Sequence, residues 1–173
     1  MVMSFMELAK ARFSARNFSS KVVEKEKLDM ILEAGHIAPT AKNIQPHRVY
    51  VIKSEEGLKK INELCPCIFG ATTVFLFTYN VDEEWKNPFD EKIHSGVEDV
   101  SIVATHMMLE AKDLGIDSCW VNRFNNHEVE KAFNIPANEK SVLLLPIGYA
   151  NADCVPSPRH GETRNIDELV KYL

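Results

Sequence analysis

VEDVSIVATHMMLEAKDLG, residues 97–115, carries the clearest periodicity in this 173-residue chain. Val97, Val100, Val103, Ala104, Met107, Met108, Ala111 and Leu114 recur at three- and four-residue steps, the spacing of one helical face, until Gly115 stops the run. The stretch predicts a long helix that forms the hub of the core. Downstream, Asp117–Val121 reads as a strand, Asn126–Phe133 as a short helix closed by Pro136, and Ser141–Tyr149 as a buried strand. The tail Ala150–His160 holds Pro156 and Pro158 and predicts neither a regular helix nor a central strand.

Upstream of the helix, Asp82–Phe89 reads as a connecting loop. Thr72–Tyr79 is a continuous apolar, aromatic and β-branched run, the pattern of a central strand buried on both faces. Ser54 predicts the cap of a helix reaching Leu64, and His47–Lys53 alternates as a strand. Pro39–Pro46 is a loop. Before it, Glu24–Ile37 sets Leu28, Ile31, Leu32 and Ile37 on one side of a helix that Pro39 ends. Ser4 and Glu7 have capping-box spacing, so a first helix runs to about Arg12, followed by a turn through Ser14, Asn17, Ser19 and Ser20.

Composition narrows the classes. Hydrophobic residues make up 45% and charged residues 26%, ordinary usage for one globular domain and too short a chain for two cores, so residues 1–173 are expected to form a single domain. The 20 basic residues are scattered against 25 acidic ones, a net charge of -5, which argues against nucleic acid or an anionic membrane as partner. Val142–Pro146 and Val74–Phe77 are the longest apolar runs, far below the roughly 20 residues of a membrane-spanning helix. Met1–Arg12 carries Glu7 and no apolar core with a cleavage site, so no signal peptide is expected and a cytoplasmic protein is. Cys65, Cys67, Cys119 and Cys154 include a Cys-Pro-Cys that matches neither a Cys-x-x-Cys redox pair nor a zinc half-site, so the thiols read as reduced and structural.

No Gly-x-Gly-x-x-Gly follows a predicted strand, so a Rossmann nicotinamide site is not supported. Three other stretches can carry chemistry. In Arg12-Phe13-Ser14-Ala15-Arg16, an extended backbone would aim two guanidinium groups and a hydroxyl the same way, onto one phosphate; the same residues also read as a solvated basic helix end. In Ala38-Pro39-Thr40-Ala41-Lys42-Asn43-Ile44-Gln45-Pro46, Asn43 and Gln45 each offer a donor and an acceptor, which suits an amide-rich heterocycle and equally suits turn capping. Pro158-Arg159-His160 is a second anion contact or a basic surface patch.

Taken in order, Arg12-x-Ser14-x-Arg16-x-Phe18, Ala38-Pro39-Thr40-x-x-Asn43-x-Gln45-Pro46, Leu114-Gly115-Ile116-Asp117-Ser118-Cys119-Trp120-Val121, Pro146-x-Gly148-Tyr149 and Pro158-Arg159 resemble the nitroreductase family over nearly the whole chain. The resemblance implies an α+β fold, with a mostly antiparallel central sheet flanked by helices, in an intertwined homodimer holding FMN at the interface. It implies that Arg12, Phe13, Ser14 and Arg16, joined by Arg159, hold the FMN phosphate and ribityl chain. Pro39, Thr40, Ala41, Asn43 and Gln45 would approach the same flavin from the partner subunit, and the backbone of Asn122 and Arg123 would face flavin N5. No catalytic side chain and no metal are implied: the flavin passes electrons from NAD(P)H to a small organic acceptor, such as a nitroaromatic or a quinone, in a ping-pong cycle.

Two departures stand out. The family commonly has a glycine-containing turn before the phenylalanine where this chain reads Asn122-Arg123-Phe124, and Lys59–Gly70 lacks the Asn and Lys pair of larger members. Reductive dehalogenation or flavin breakdown on the same scaffold is the alternative chemistry, against which the short Asn80–Ile93 segment argues because those relatives cover the flavin with a lid. A flavin-binding module without turnover is the alternative of another class. Trp85 and Phe124 border the substrate face or serve as packing anchors.

Overall fold

A computed structural model describes residues 3–173, the side chain of Glu91 excepted. Met1 and Val2, part of the stretch read for a signal sequence, lie outside the described residues. In chain order the elements are α1 (Phe5–Ala11), α2 (Lys25–His36), β1 (His47–Ile52), α3 (Glu55–Leu64), β2 (Thr73–Asn80), β3 (Lys86–Asn87), β4 (Asp90–His94), α4 (Gly96–Asp113), β5 (Asp117–Ser118), α5 (Asn126–Ala132), β6 (Glu139–Gly148) and α6 (Ile166–Leu169). The α+β reading holds. The main sheet has the order β1-β2-β6-β5 and every pairing in it is antiparallel.

The central strands explain their own sequences. Successive side chains of a strand point to opposite faces, and a strand covered on both sides must be apolar at every position. In β2 and β6, Phe75, Phe77, Tyr79, Leu143, Leu145 and Ile147 pack towards α2 and α4, where they meet Ile31, Val103 and Met107. Val74, Leu76 and Leu144 point the other way, onto Ile52, Ile61 and Val129 beneath α3 and α5. The sheet is therefore the middle of three layers, with α4 along the centre of one face.

Caps follow the sequence. Ser4 and Glu7 form a reciprocal capping box, Ser54 Oγ accepts from the Gly57 amide at 3.1 Å, and Gly115 ends α4 at φ +75°.

Three expectations need correction. Asp82–Phe89 is not a plain loop, because β3 within it pairs with β4 to make a hairpin, closed where the Ser95 amide donates to the Trp85 carbonyl at 3.0 Å. Ile37 and Val97, assigned to buried faces, are 70% and 47% exposed: each sits at the end of its helix, beyond the reach of the opposing layer. Only Asp117 and Ser118 of the Asp117–Val121 segment form a strand, with Val121 returning to bridge Leu144.

Candidate functional site

The backbone after α1 is extended. Ser14 bridges Ser118, the Ala15 amide donates to the Ser118 carbonyl at 3.0 Å, and Phe18 bridges Ala150. Ala15 and Phe18 are thereby buried, while Ser14 and Arg16, two residues apart, turn to the same side. They line a cavity of about 220 Å³ with Ser157, Arg159 and His160, the last two carried by the turn Pro158–Gly161. The Phe13 ring meets His160 edge-on at 6.4 Å, and the Lys112 ammonium lies 5.4 Å from the centre of the same ring. Among the described residues no ion pair or hydrogen bond occupies the guanidinium of Arg12, Arg16 or Arg159. Uncompensated cations gathered at one cavity attract a multivalent anion, for which the guanidinium fork is suited.

Cys119 lies beside this cluster. Burial pushes its thiol up, while the Arg16 and Arg12 charges and the Ser14 hydroxyl act the other way. Arg12 acts on the same thiol through its charge but is not among the residues that line the cavity, which are Ser14, Arg16, Ser157, Arg159 and His160. His160 belongs to the Pro158-Arg159-His160 stretch read from the sequence as an anion contact or a basic surface patch, whereas Ser157 is a lining residue that the sequence did not single out.

The 39–45 loop forms a separate feature. Ala41–Asn43 makes a single tight turn, and Lys42, Asn43 and Gln45 have φ of 51°, 56° and 57°. Non-glycine residues seldom take that left-handed region, and clusters of them mark functional loops. Gln45 Nε2 donates to Asn43 Oδ1 at 3.2 Å and the Gln45 amide to Thr40 Oγ1 at 3.1 Å, so part of the donor and acceptor capacity is spent within the loop. The loop joins the first turn of α4, where the Ala41 amide donates to Asp99 Oδ1 at 2.7 Å. The arginine cavity lies at the other end of that helix, where Lys112 pairs with Asp117 at 2.9 Å. Asp99 and Lys112 are roughly 20 Å apart along the axis at 1.5 Å per residue, so within one chain the two halves do not meet.

The third group has a divided role. Asn122 is tied to the sheet, its Nδ2 donating to the Val142 carbonyl at 2.9 Å and its Oδ1 accepting from the Trp120 indole, which leaves its backbone for other work. Arg123 is exposed, and its carbonyl lies 3.5 Å from the Cys65 thiol. Phe124 packs on the α3–α5 side of the core, and Trp85 is half-buried at the hairpin foot.

His47 closes the 39–46 segment, and its Nδ1 is buried with no hydrogen-bond partner among the described residues. Burial pushes its pKa down; Arg48 and His36 add to this and Asp99 opposes it. The unfolded chain therefore takes up this proton first, so protons favour unfolding. The contribution of neutral His47 is complete above about pH 6.5 and is lost as pH falls through the lowered folded value. Urea midpoints between pH 7.5 and 5 should fall less steeply for His47→Gln than for the parent; identical slopes would remove His47 as a source.

An antiparallel sheet between two helical layers, carrying a cationic cavity beside one end of the central helix, defines the class. The Nitroreductase family profile matches residues 9–69 and 64–149, and the chain belongs to that family. Its fold superposes with a TM-score of 0.91 on a nitroreductase family protein from Clostridium difficile 630, 39% identical over 98% of both chains. An NADH dehydrogenase/NAD(P)H nitroreductase of Archaeoglobus fulgidus is 29% identical over 83% of this chain and 84% of its own length. An FMN reductase [NAD(P)H] of Bacillus subtilis is 28% identical over 92% and 74%, and an iodotyrosine deiodinase of Thermotoga neapolitana 25% identical over 96% of each. Among the described residues no group of His, Cys, Asp and Glu has the arrangement of a metal site, and no helix is long and apolar enough to cross a membrane.

Proposed function

We propose that the chain is an FMN-dependent oxidoreductase that passes electrons from NADH or NADPH to small organic acceptors, nitroaromatics or quinones among them, in a ping-pong cycle. The observation that carries this reading is the set of unpaired guanidinium groups around the Ser14–Arg16–Arg159 cavity, in a chain of the nitroreductase family. A phosphate fits there in charge and size. Arg12, Arg16 and Arg159 hold its oxygens, Ser14 donates its hydroxyl, and Phe13 walls the ribityl side. FMN supplies the two-electron chemistry. The backbone amides at Asn122 and Arg123 offer fixed donors on the flavin edge, where charge builds up during transfer. No side chain of this chain is asked to move a proton.

The working unit is a homodimer in which the whole chain acts as one FMN-binding domain. The 39–45 loop, lying at the far end of α4 from the arginine cavity of its own chain, serves the cavity of the partner. Two surfaces support the assembly. Phe5, Leu8, Ile37 and Leu109 line an apolar depression between α1, α2 and α4. Residues 161–173 form an arm exposed throughout despite Ile166, Leu169, Val170 and Tyr172. Such apolar surface is what a second copy buries. Deleting residues 162–173 should give a monomer with little bound FMN in sedimentation at micromolar concentration; a truncated chain that stays a flavin-loaded dimer would contradict the arm's role. The four free cysteines suit the reducing cytoplasm.

Reductive dehalogenation is the second reading, favoured by the iodotyrosine deiodinase relative. Turnover of halogenated phenols set against nitroaromatics and quinones under one donor separates the two. A flavin-binding module without turnover fails if NADH or NADPH bleaches the bound flavin rapidly in the absence of oxygen.

A further inference from the structure

Asp99 is an acidic residue in the first turn of α4, yet it is only 2% exposed. A buried carboxylate is tolerated when its oxygens are occupied by donors. Here Oδ1 accepts from the Ala41 amide at 2.7 Å and Oδ2 from the Ser95 hydroxyl at 2.6 Å. Ser95 is bound in turn to the foot of the β3–β4 hairpin, its amide donating to the Trp85 carbonyl at 3.0 Å and its hydroxyl accepting from the Trp85 amide at 3.2 Å. One side chain therefore ties the 39–45 loop, the start of the central helix and the hairpin together.

The loop depends on that tie. Thr40, Ala41, Asn43, Ile44 and Gln45 bond among themselves; at the exit of the loop Arg48 Nη1 donates to the Gln45 carbonyl at 3.4 Å and the Asn80 amide to the Pro46 carbonyl at 2.9 Å, while among the described residues the Ala41–Asp99 bond is the hydrogen bond that joins the turn itself, residues 39–44, to another element. Three left-handed non-glycine residues in so short a segment persist only where the surroundings determine them.

We propose that Asp99 is a positioning residue of the flavin site: through the Ala41 amide it holds the 39–45 loop in its binding conformation. The proposal rests on the flavin reading given above. Asp99 touches no flavin itself. Releasing the loop lowers the fraction of molecules in the competent conformation, and apparent affinity falls by that fraction. Because the loop meets the ring and not the phosphate, FMN and riboflavin lose equally.

Three variants of the full chain separate positioning from mere stability. Asp99→Leu removes both acceptors at similar size. Ala41→Pro removes only the donor, at the head of a turn whose preceding residue, Thr40, already has the extended φ -131°, ψ 162° that proline imposes. Asp99→Asn keeps one acceptor oxygen for Ala41. FMN and riboflavin are titrated into each apoprotein and into the parent at 10 °C, with circular dichroism showing that each is folded. Each of the first two variants should raise both dissociation constants about tenfold, their combination should do no more than either alone, and Asp99→Asn should stay near the parent. Unchanged constants in a parent that binds both flavins, or a combined loss near the product of the two single losses, would overturn the role of Asp99 alone. A parent that binds neither flavin overturns the flavin reading and this proposal with it.

Discussion

Arg12→Ala and Arg16→Ala should each raise the dissociation constant for FMN roughly 10- to 150-fold, since a hydrogen bond to a charged group contributes about 1.5–3 kcal/mol. The loss should be specific to the phosphate. Arg16 lines the cavity with Ser14 and Arg159, and no carboxylate among the described residues neutralises either arginine, so each is free to meet an anion. Riboflavin offers the same ring and ribityl chain without the phosphate, and its affinity should hardly change in either variant. A folding defect would behave differently, weakening both ligands and lowering the melting temperature of the apoprotein. Parallel titrations of the two flavins therefore read the assignment directly, and equal losses for both, or no loss for either, would show that these arginines do not hold the phosphate. The contrast with Asp99 sharpens the test: the arginines act on FMN alone, the loop anchor on both flavins.

Gly96→Ala should lower stability by about 1–3 kcal/mol, a drop in Tm of roughly 3–10 °C, although alanine is the better helix former. Gly96 opens α4 against β2, and a Cβ there would fall into the ring of Tyr79 and 2.5 Å from a Glu84 carboxylate oxygen. Neither neighbour can give way freely. Tyr79 is 8% exposed within a central strand, and Glu84 Oε2 accepts from the Gly96 amide at 3.1 Å and pairs with His94 Nδ1 at 2.6 Å. Packing thus outweighs the propensity gain of up to about 1 kcal/mol. Calorimetry on the two proteins decides it, and an unchanged or higher Tm for the variant would mean that helix and strand are not so close.

Most of the architecture was legible because periodicity reports burial. The unbroken apolar runs of β2 and β6 required cover on both faces, and the three- and four-residue steps of α4 required one buried stripe. Ile37 and Val97 misled for the same reason: an apolar residue in phase with the stripe reads as core even where, at a helix end, the opposing layer no longer reaches it. The β3–β4 hairpin was hidden because Lys86, Asn87, Asp90, Lys92 and His94 give neither alternation nor β-branched enrichment.

Legibility at the site divides in the same way. Arg12, Ser14 and Arg16 stood out because their charges and their spacing of two lie within one segment. Arg159, far away in the chain, was joined to them only by the family resemblance, since spacing says nothing across so long a separation; the fold brings it to the cavity of Ser14 and Arg16. Asp99 was invisible, since an acidic residue in a first helical turn ordinarily faces water and favours the helix dipole there. Its main partner is a backbone amide 58 positions away, which leaves no signature in any side chain.

The central claim is tested most directly by mixing the purified, FMN-loaded protein with NADH or NADPH in the absence of oxygen and following the visible flavin band. Rapid bleaching by at least one donor, reversed on adding a quinone or nitroaromatic, is the predicted result; a protein that fails to bind FMN, or whose bound flavin stays oxidised with both donors, would contradict it.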